Sequence, residues 1–111
     1  MNDYAETYNV GISYYDDNVI ATREEIEDLL GDPSYRTNDL DSRVQYEWEA
    51  TFIKDERKVF FRLYDWDEHR HIGFDEKIEW HIGCKGKYEG LLAKEYMEMM
   101  LKRQRENPSR V

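Results

Sequence analysis

Val44-Gln45-Tyr46-Glu47-Trp48-Glu49-Ala50-Thr51-Phe52 decides the fold. Apolar side chains at 44, 46, 48, 50 and 52 alternate with polar ones at 45, 47, 49 and 51, the period of a strand with one buried face. Lys54-Asp55-Glu56-Arg57 then reads as a polar turn, and a second strand over 58–66 sets Val59, Phe61 and Leu63 on one face. Its other face, Phe60, Arg62, Tyr64 and Trp66, is too aromatic to be simply solvated. A third strand over 76–83 alternates Ile78, Trp80 and Ile82 with Glu79 and His81. Connections this short make antiparallel neighbours, so the three form a meander.

Upstream, Thr22 and Glu25 have the spacing of a capping box, with Glu24, Glu27 and Asp28 also near the positive end of the helix dipole. Ile26, Leu29 and Leu30 are the expected buried stripe of that short helix, Gly31 its terminator and Pro33 the block to continuation. Residues 31–43 read as a loop and Asp16-Asp17-Asn18 as a turn. Before that turn, Tyr8, Val10, Ile12 and Tyr14 alternate, so residues 1–21 are an arm or an edge strand. A long helix is expected from about Lys87 to Arg105, with Tyr88, Leu91, Leu92, Tyr96, Met99 and Met100 as its apolar stripe and Asn107-Pro108 at its end. The predicted fold is α+β: an antiparallel three- to four-stranded meander with a short helix in the N-terminal half and a long C-terminal helix across the sheet. Residues 1–111 form a single domain, with a core over 22–106 and a tail over 107–111.

Composition narrows the class. Apolar residues at 40% against 37% charged fit a folded domain rather than a disordered one. The single cysteine, Cys84, excludes an intramolecular disulfide, and no apolar run reaches membrane-spanning length. With an acidic Met1–Glu6 in place of a basic signal sequence, a cytoplasmic protein is expected, without a membrane partner. The net charge of −9 is uneven: residues 1–56 hold 15 acidic and 4 basic side chains, residues 57–111 hold 10 and 12. Direct nucleic-acid binding is not expected of so acidic a chain, although its basic half can meet a smaller anion.

Several groups can carry chemistry. His69, His71 and His81 fall in one hairpin, where side chains of alternate strand positions share a face, so a metal site with Asp67 is conceivable, but their spacing matches no established ligand pattern. Asp65 alternates with Leu63 and points inward, either as an acid/base or as an acceptor of internal hydrogen bonds. Gly83-Cys84-Lys85-Gly86-Lys87 opens a helix and offers either a tight turn or an anion cradle, with lysines that can lower the thiol pKa. Lys102, Arg103, Arg105 and Arg110 complement the end of the last helix or bind an anion. Phe60, Tyr64 and Trp66 lie on the face that one covering layer cannot bury, and mark an interface unless the N-terminal segment or the helix over 22–30 covers them.

Gly31-Asp32-Pro33-Ser34-Tyr35, Val44-Gln45-Tyr46-Glu47-Trp48, Phe61-Arg62-Leu63-Tyr64-Asp65-Trp66 and Glu79-Trp80-His81-Ile82-Gly83 follow one another in an order that resembles a loose group of small tailed-bacteriophage accessory proteins. The resemblance covers about residues 22–100, and Cys84 stands where similar proteins often have a second glycine. It implies a setting, counter-defence by binding in the host cytoplasm, and no catalytic residue or cofactor. The expected function is non-enzymatic inhibition of host antiviral defence, by a homo-oligomer that sequesters a nucleotide signal through Tyr64, Trp66, His81, Lys85, Arg103 and Arg105. Two alternatives stay open. One is an acidic inhibitor that blocks a host nuclease or CRISPR-type complex through Asp16, Asp17, Glu24, Glu25, Glu27 and Asp28; the other is a metal-dependent hydrolase on the histidine hairpin.

Overall fold

The alternating stretches build one antiparallel sheet in a computed structural model, which describes residues 15–107. In chain order the elements are β1 (Tyr15–Thr22), α1 (Arg23–Leu30), β2 (Tyr35–Arg36), β3 (Tyr46–Lys54), β4 (Arg57–Tyr64), β5 (Lys77–Cys84) and α2 (Lys87–Glu106). The strand order is β1-β5-β4-β3-β2. The α+β fold is the one expected, with the meander β3-β4-β5 at its centre and two further strands at the edges. Left-handed φ values of 52° at Asp55 and 63° at Glu56 let the β3–β4 hairpin close in two residues.

One face of the sheet carries the core. Trp48, Phe61, Leu63, Trp80 and Ile82 pack there with Val19 and Ala21 of β1, Ile26 of α1 and Ala93, Met97 and Leu101 of α2. Trp48 and Trp80 meet edge to face, their ring centroids 5.4 Å apart. Both indole N–H groups are satisfied inside: Trp48 donates to Gly31 O at the end of α1 and Trp80 to Ala21 O of β1, each at 2.9 Å. Each tryptophan therefore fills the core and fastens a neighbouring element to it.

Three expectations need correction. Asp16-Asp17-Asn18 is not a turn but the middle of β1, paired with β5 through Val19↔Trp80 and Ala21↔Ile78. Polar residues are tolerated there because Lys94 Nζ on α2 reaches Asp17 Oδ1 at 3.1 Å and Asn18 O at 2.9 Å. The loop expected over 31–43 contains the two residues of β2, paired with β3 through Tyr35↔Glu47. The buried stripe of α2 is Gly90, Ala93, Met97 and Leu101, whereas Tyr88, Leu91 and Met99 are exposed. Small residues at 90 and 93 let the helix approach a sheet whose own side chains are large. The alternating stretch Tyr8 to Tyr14 lies outside the described residues.

The capping box forms as expected: Glu25 N donates to Thr22 Oγ1 at 3.0 Å and Thr22 N to Glu25 Oε1 at 2.9 Å. Glu25 also receives a forked contact from Arg105 on α2, Nε at 2.7 Å and Nη2 at 2.9 Å, while Nη2 donates to Ile20 O at 3.0 Å. Arg105 thus ties α2, α1 and β1 together, and its hydrogen bonds hold the Glu25 carboxyl down to about 2, below the ordinary 4.5. A carboxylate with a depressed folded pKa stabilises above its unfolded value and loses that contribution as pH falls from 4.5 toward about 2. Arg105→Ala is expected to lower stability by about 1–2 kcal/mol at neutral pH and by progressively less across that acid window. Urea midpoints measured against pH check both parts.

Candidate functional site

Among the described residues no helix packs on the other face of the sheet: α1 and α2 both pack on the core side. Side chains of odd number on β3 and β5 and of even number on β4 point to this second face, where Glu47 and Arg62 are buried. The register sets Glu47 opposite Tyr64 and Tyr64 opposite His81, making a row across three strands. Tyr64 and His81 stack with centroids 5.7 Å apart and planes at 22°, and Trp66 stands edge-on to Tyr64 at 6.3 Å. Trp66 is 42% exposed, unlike Trp48 at 1% and Trp80 at 0%. Phe60, Tyr64 and His81 are half-buried.

Cations accompany the rings. The Arg62 guanidinium lies 5.8 Å from the Tyr64 centroid and that of Arg43 5.6 Å from Trp66. Arg62 Nη1 also faces Glu47 Oε1 at 3.8 Å. Burial pushes the Glu47 carboxyl above its ordinary range while the Arg62 charge pulls it down. The result is a face with flat aromatic rings, guanidinium groups and a neighbouring carboxylate acceptor, which suits a planar polar ligand.

Of the six residues expected at the site, Tyr64, Trp66 and His81 come together. Lys85 is exposed beyond the end of β5, four residues from His81, about 13 Å of extended chain. Arg103 and Arg105 lie on α2, on the far side of the sheet, and Arg105 is engaged with Glu25. Arg43, Arg62 and Glu47 were not expected at the site. Position 62 was visible in the alternation of β4, but nothing local brings Arg43 to Trp66; that follows from the chain reversal in which Asp67 N bonds Arg43 O at 2.8 Å.

The remaining candidates resolve into structural roles. The three histidines do not converge, and no group of three metal-ligating side chains forms among the described residues. His69 Nδ1 lies 2.7 Å from Leu40 O, with Nε2 3.3 Å from Asp67 Oδ1, and this carbonyl and carboxylate raise its pKa. Asp65 is fully buried and its Oδ1 accepts from Gln45 N at 2.9 Å and Tyr46 N at 2.8 Å. Cys84 is buried too, with Sγ 3.7 Å from Phe60 O. Burial pushes its thiol up to about 12, the opposite of the lysine-lowered value considered from sequence. At the N-terminus of α2, a Cβ on Gly86 would come within 2.6 Å of Glu89 Oε1, so a carboxylate of the chain already occupies the place expected for an anion. Arg110 lies outside the described residues.

No protein-family model, no curated protein and no solved structure matches the chain. The site therefore rests on its own geometry.

Proposed function

We propose that the protein is a non-enzymatic binding protein that captures a small nucleotide on the face of its sheet opposite the core. The carrying observation is the row Trp66, Tyr64 and His81, with guanidinium groups against the first two rings. Every nucleobase has a π face, so aromatic side chains recognise bases without a sequence code, and arginine adds charge for a phosphate. A chain of net charge −9 repels a long polyanion more than a mononucleotide or cyclic nucleotide, which favours the small ligand. In the phage setting implied by the sequence resemblance, the ligand is a host defence signal and the activity is its sequestration in the host cytoplasm, by a homo-oligomer.

The acidic-inhibitor reading has less support. Asp17, Glu25 and Glu27 are spent on Lys94, Arg105 and Arg23, and Asp28 accepts from Gln104. A basic partner would have to displace these contacts. The hydrolase reading lacks converging ligands among the described residues.

Calorimetry and thermal shift against mono-, di- and cyclic nucleotides test the proposal. At least one is expected to raise Tm, and Tyr64→Ala to weaken its binding by about 5- to 150-fold, the worth of one lost stack at about 1–3 kcal/mol. Failure of every nucleotide to raise Tm, together with capture of a basic host protein, would favour the acidic inhibitor instead.

A further inference from the structure

The two edges of the sheet are finished differently. On β1 the carbonyls of Asn18 and Ile20 are taken by Lys94 Nζ at 2.9 Å and Arg105 Nη2 at 3.0 Å, so side chains of α2 seal that edge. Among the described residues, the outer side of β3 is served only at its start: Ser34 N bonds Glu47 O at 2.8 Å, Thr37 N bonds Gln45 O at 2.9 Å, and Glu49 N bonds Ser34 Oγ at 3.0 Å. Outward-pointing backbone groups recur every second residue, so those of Thr51 and Ile53 continue the series. Among the described residues no strand pairs with them. Neither a proline nor a bulge protects this stretch, and β-branched Thr51 and Ile53 are good strand formers.

Beside the open edge runs a groove of about 820 Å³ between the end of β3 and α2. Phe52, Leu91, Leu92, Tyr96 and Met99 line it. Ile53 is 65% exposed and Leu91 49%. Leu91 and Met99 are the exposed apolar side chains that α2 contributes, whereas Phe52 and Tyr96 form the groove's floor against the core. A row of unpaired backbone groups next to apolar surface is the arrangement that accepts an added strand.

We infer that β3 is a homodimer interface, pairing antiparallel with β3 of a second copy about a twofold axis near Phe52, with the groove taking up the partner's apolar side chains. Charge selects this occupant. The groove carries Lys54, Lys94 and Lys102 together with Glu95 and Glu98, a mixture that a twofold copy can match with opposite signs. A foreign acidic or basic segment would meet repulsion from one of the two sets. With Thr51 set against Ile53 of the second copy, both outward residues on each strand find partners, and the closed symmetric pair leaves this stretch of β3 unavailable for further addition. The aromatic row lies on the other face, so the dimer holds or fails independently of ligand binding.

Light scattering on the full chain is expected to give twice the 13.5 kDa of one copy. Ile53→Lys and Leu91→Asp are each expected to return it to the single mass with thermal unfolding still cooperative. Leu91 lies outside the sheet, so its variant tests the interface without disturbing a strand. In the unmodified protein, hydrogen exchange at the Thr51 and Ile53 amides is expected to slow at least tenfold between dilute and concentrated samples. A single mass at every concentration, a double mass that survives both substitutions, or exchange at those amides independent of concentration would each overturn the assignment.

Discussion

Trp80→Ala is expected to destabilise the protein by about 3–5 kcal/mol, the range for removing a buried aromatic side chain. Trp80 is 0% exposed, meets Trp48 edge to face and donates to Ala21 O, so alanine opens a cavity and orphans a carbonyl. Domains of this size have about 5–15 kcal/mol in total. The variant therefore sits close to unfolding at room temperature, and β1, which hangs on that hydrogen bond and on the pairing with β5, is expected to exchange its amides first. Trp80→Phe keeps most of the volume and is expected to lose less than half as much. Urea denaturation of the three proteins decides it, and a loss below about 1 kcal/mol for alanine would mean that the tryptophan pair is not the centre of the core.

Asp65→Ala is the second large effect, about 2–4 kcal/mol, because two buried N–H groups lose their acceptor at once. Asp65→Asn retains a carbonyl oxygen where Oδ1 now accepts from Gln45 and Tyr46, and is expected to cost far less. Burial raises the Asp65 pKa, against the lowering by those two backbone groups. An acid with a raised folded pKa binds its proton more tightly when folded, so its contribution to stability declines as pH rises from its ordinary 3.8 through the folded value. This is opposite in sign to Glu25. Stability measured against pH in Asp65→Asn should lose that decline and keep the acid loss due to Glu25. An asparagine variant as unstable as alanine would refute the view that the carboxylate acts through geometry rather than charge.

Legibility in the sequence followed the range of the interactions. β3, β4 and β5 could be read because one face of each is buried, and the alternation of Tyr46, Trp48, Ala50 and Phe52 is local. The start of α1 was readable for the same reason, since Thr22 and Glu25 are three residues apart. β1 was not, because its polar centre is made tolerable by Lys94, 77 residues from Asp17. The phase of α2 was misread because Gly90 and Ala93, which let the helix approach the sheet, have little apolar weight beside Tyr88, Leu91 and Met99. That misreading hid the groove beside β3. In the site, Tyr64 and His81 followed from alternation once β4 and β5 were placed, whereas Glu47 looked like one more solvated carboxylate and is 3% exposed.

The central claim is that the face opposite the core binds a nucleotide through the aromatic row, and Trp66 reports on it directly. Of the three tryptophans only Trp66 is exposed, so a base stacking at the row should quench the accessible part of the emission and leave the Trp48 and Trp80 part unchanged. The expected result is saturable quenching by one class of nucleotide, abolished in Trp66→Phe and shifted to higher concentration in His81→Ala, with Tm in the absence of ligand retained in both. Absence of quenching by any nucleotide, or the same quenching in Trp66→Phe, would contradict it.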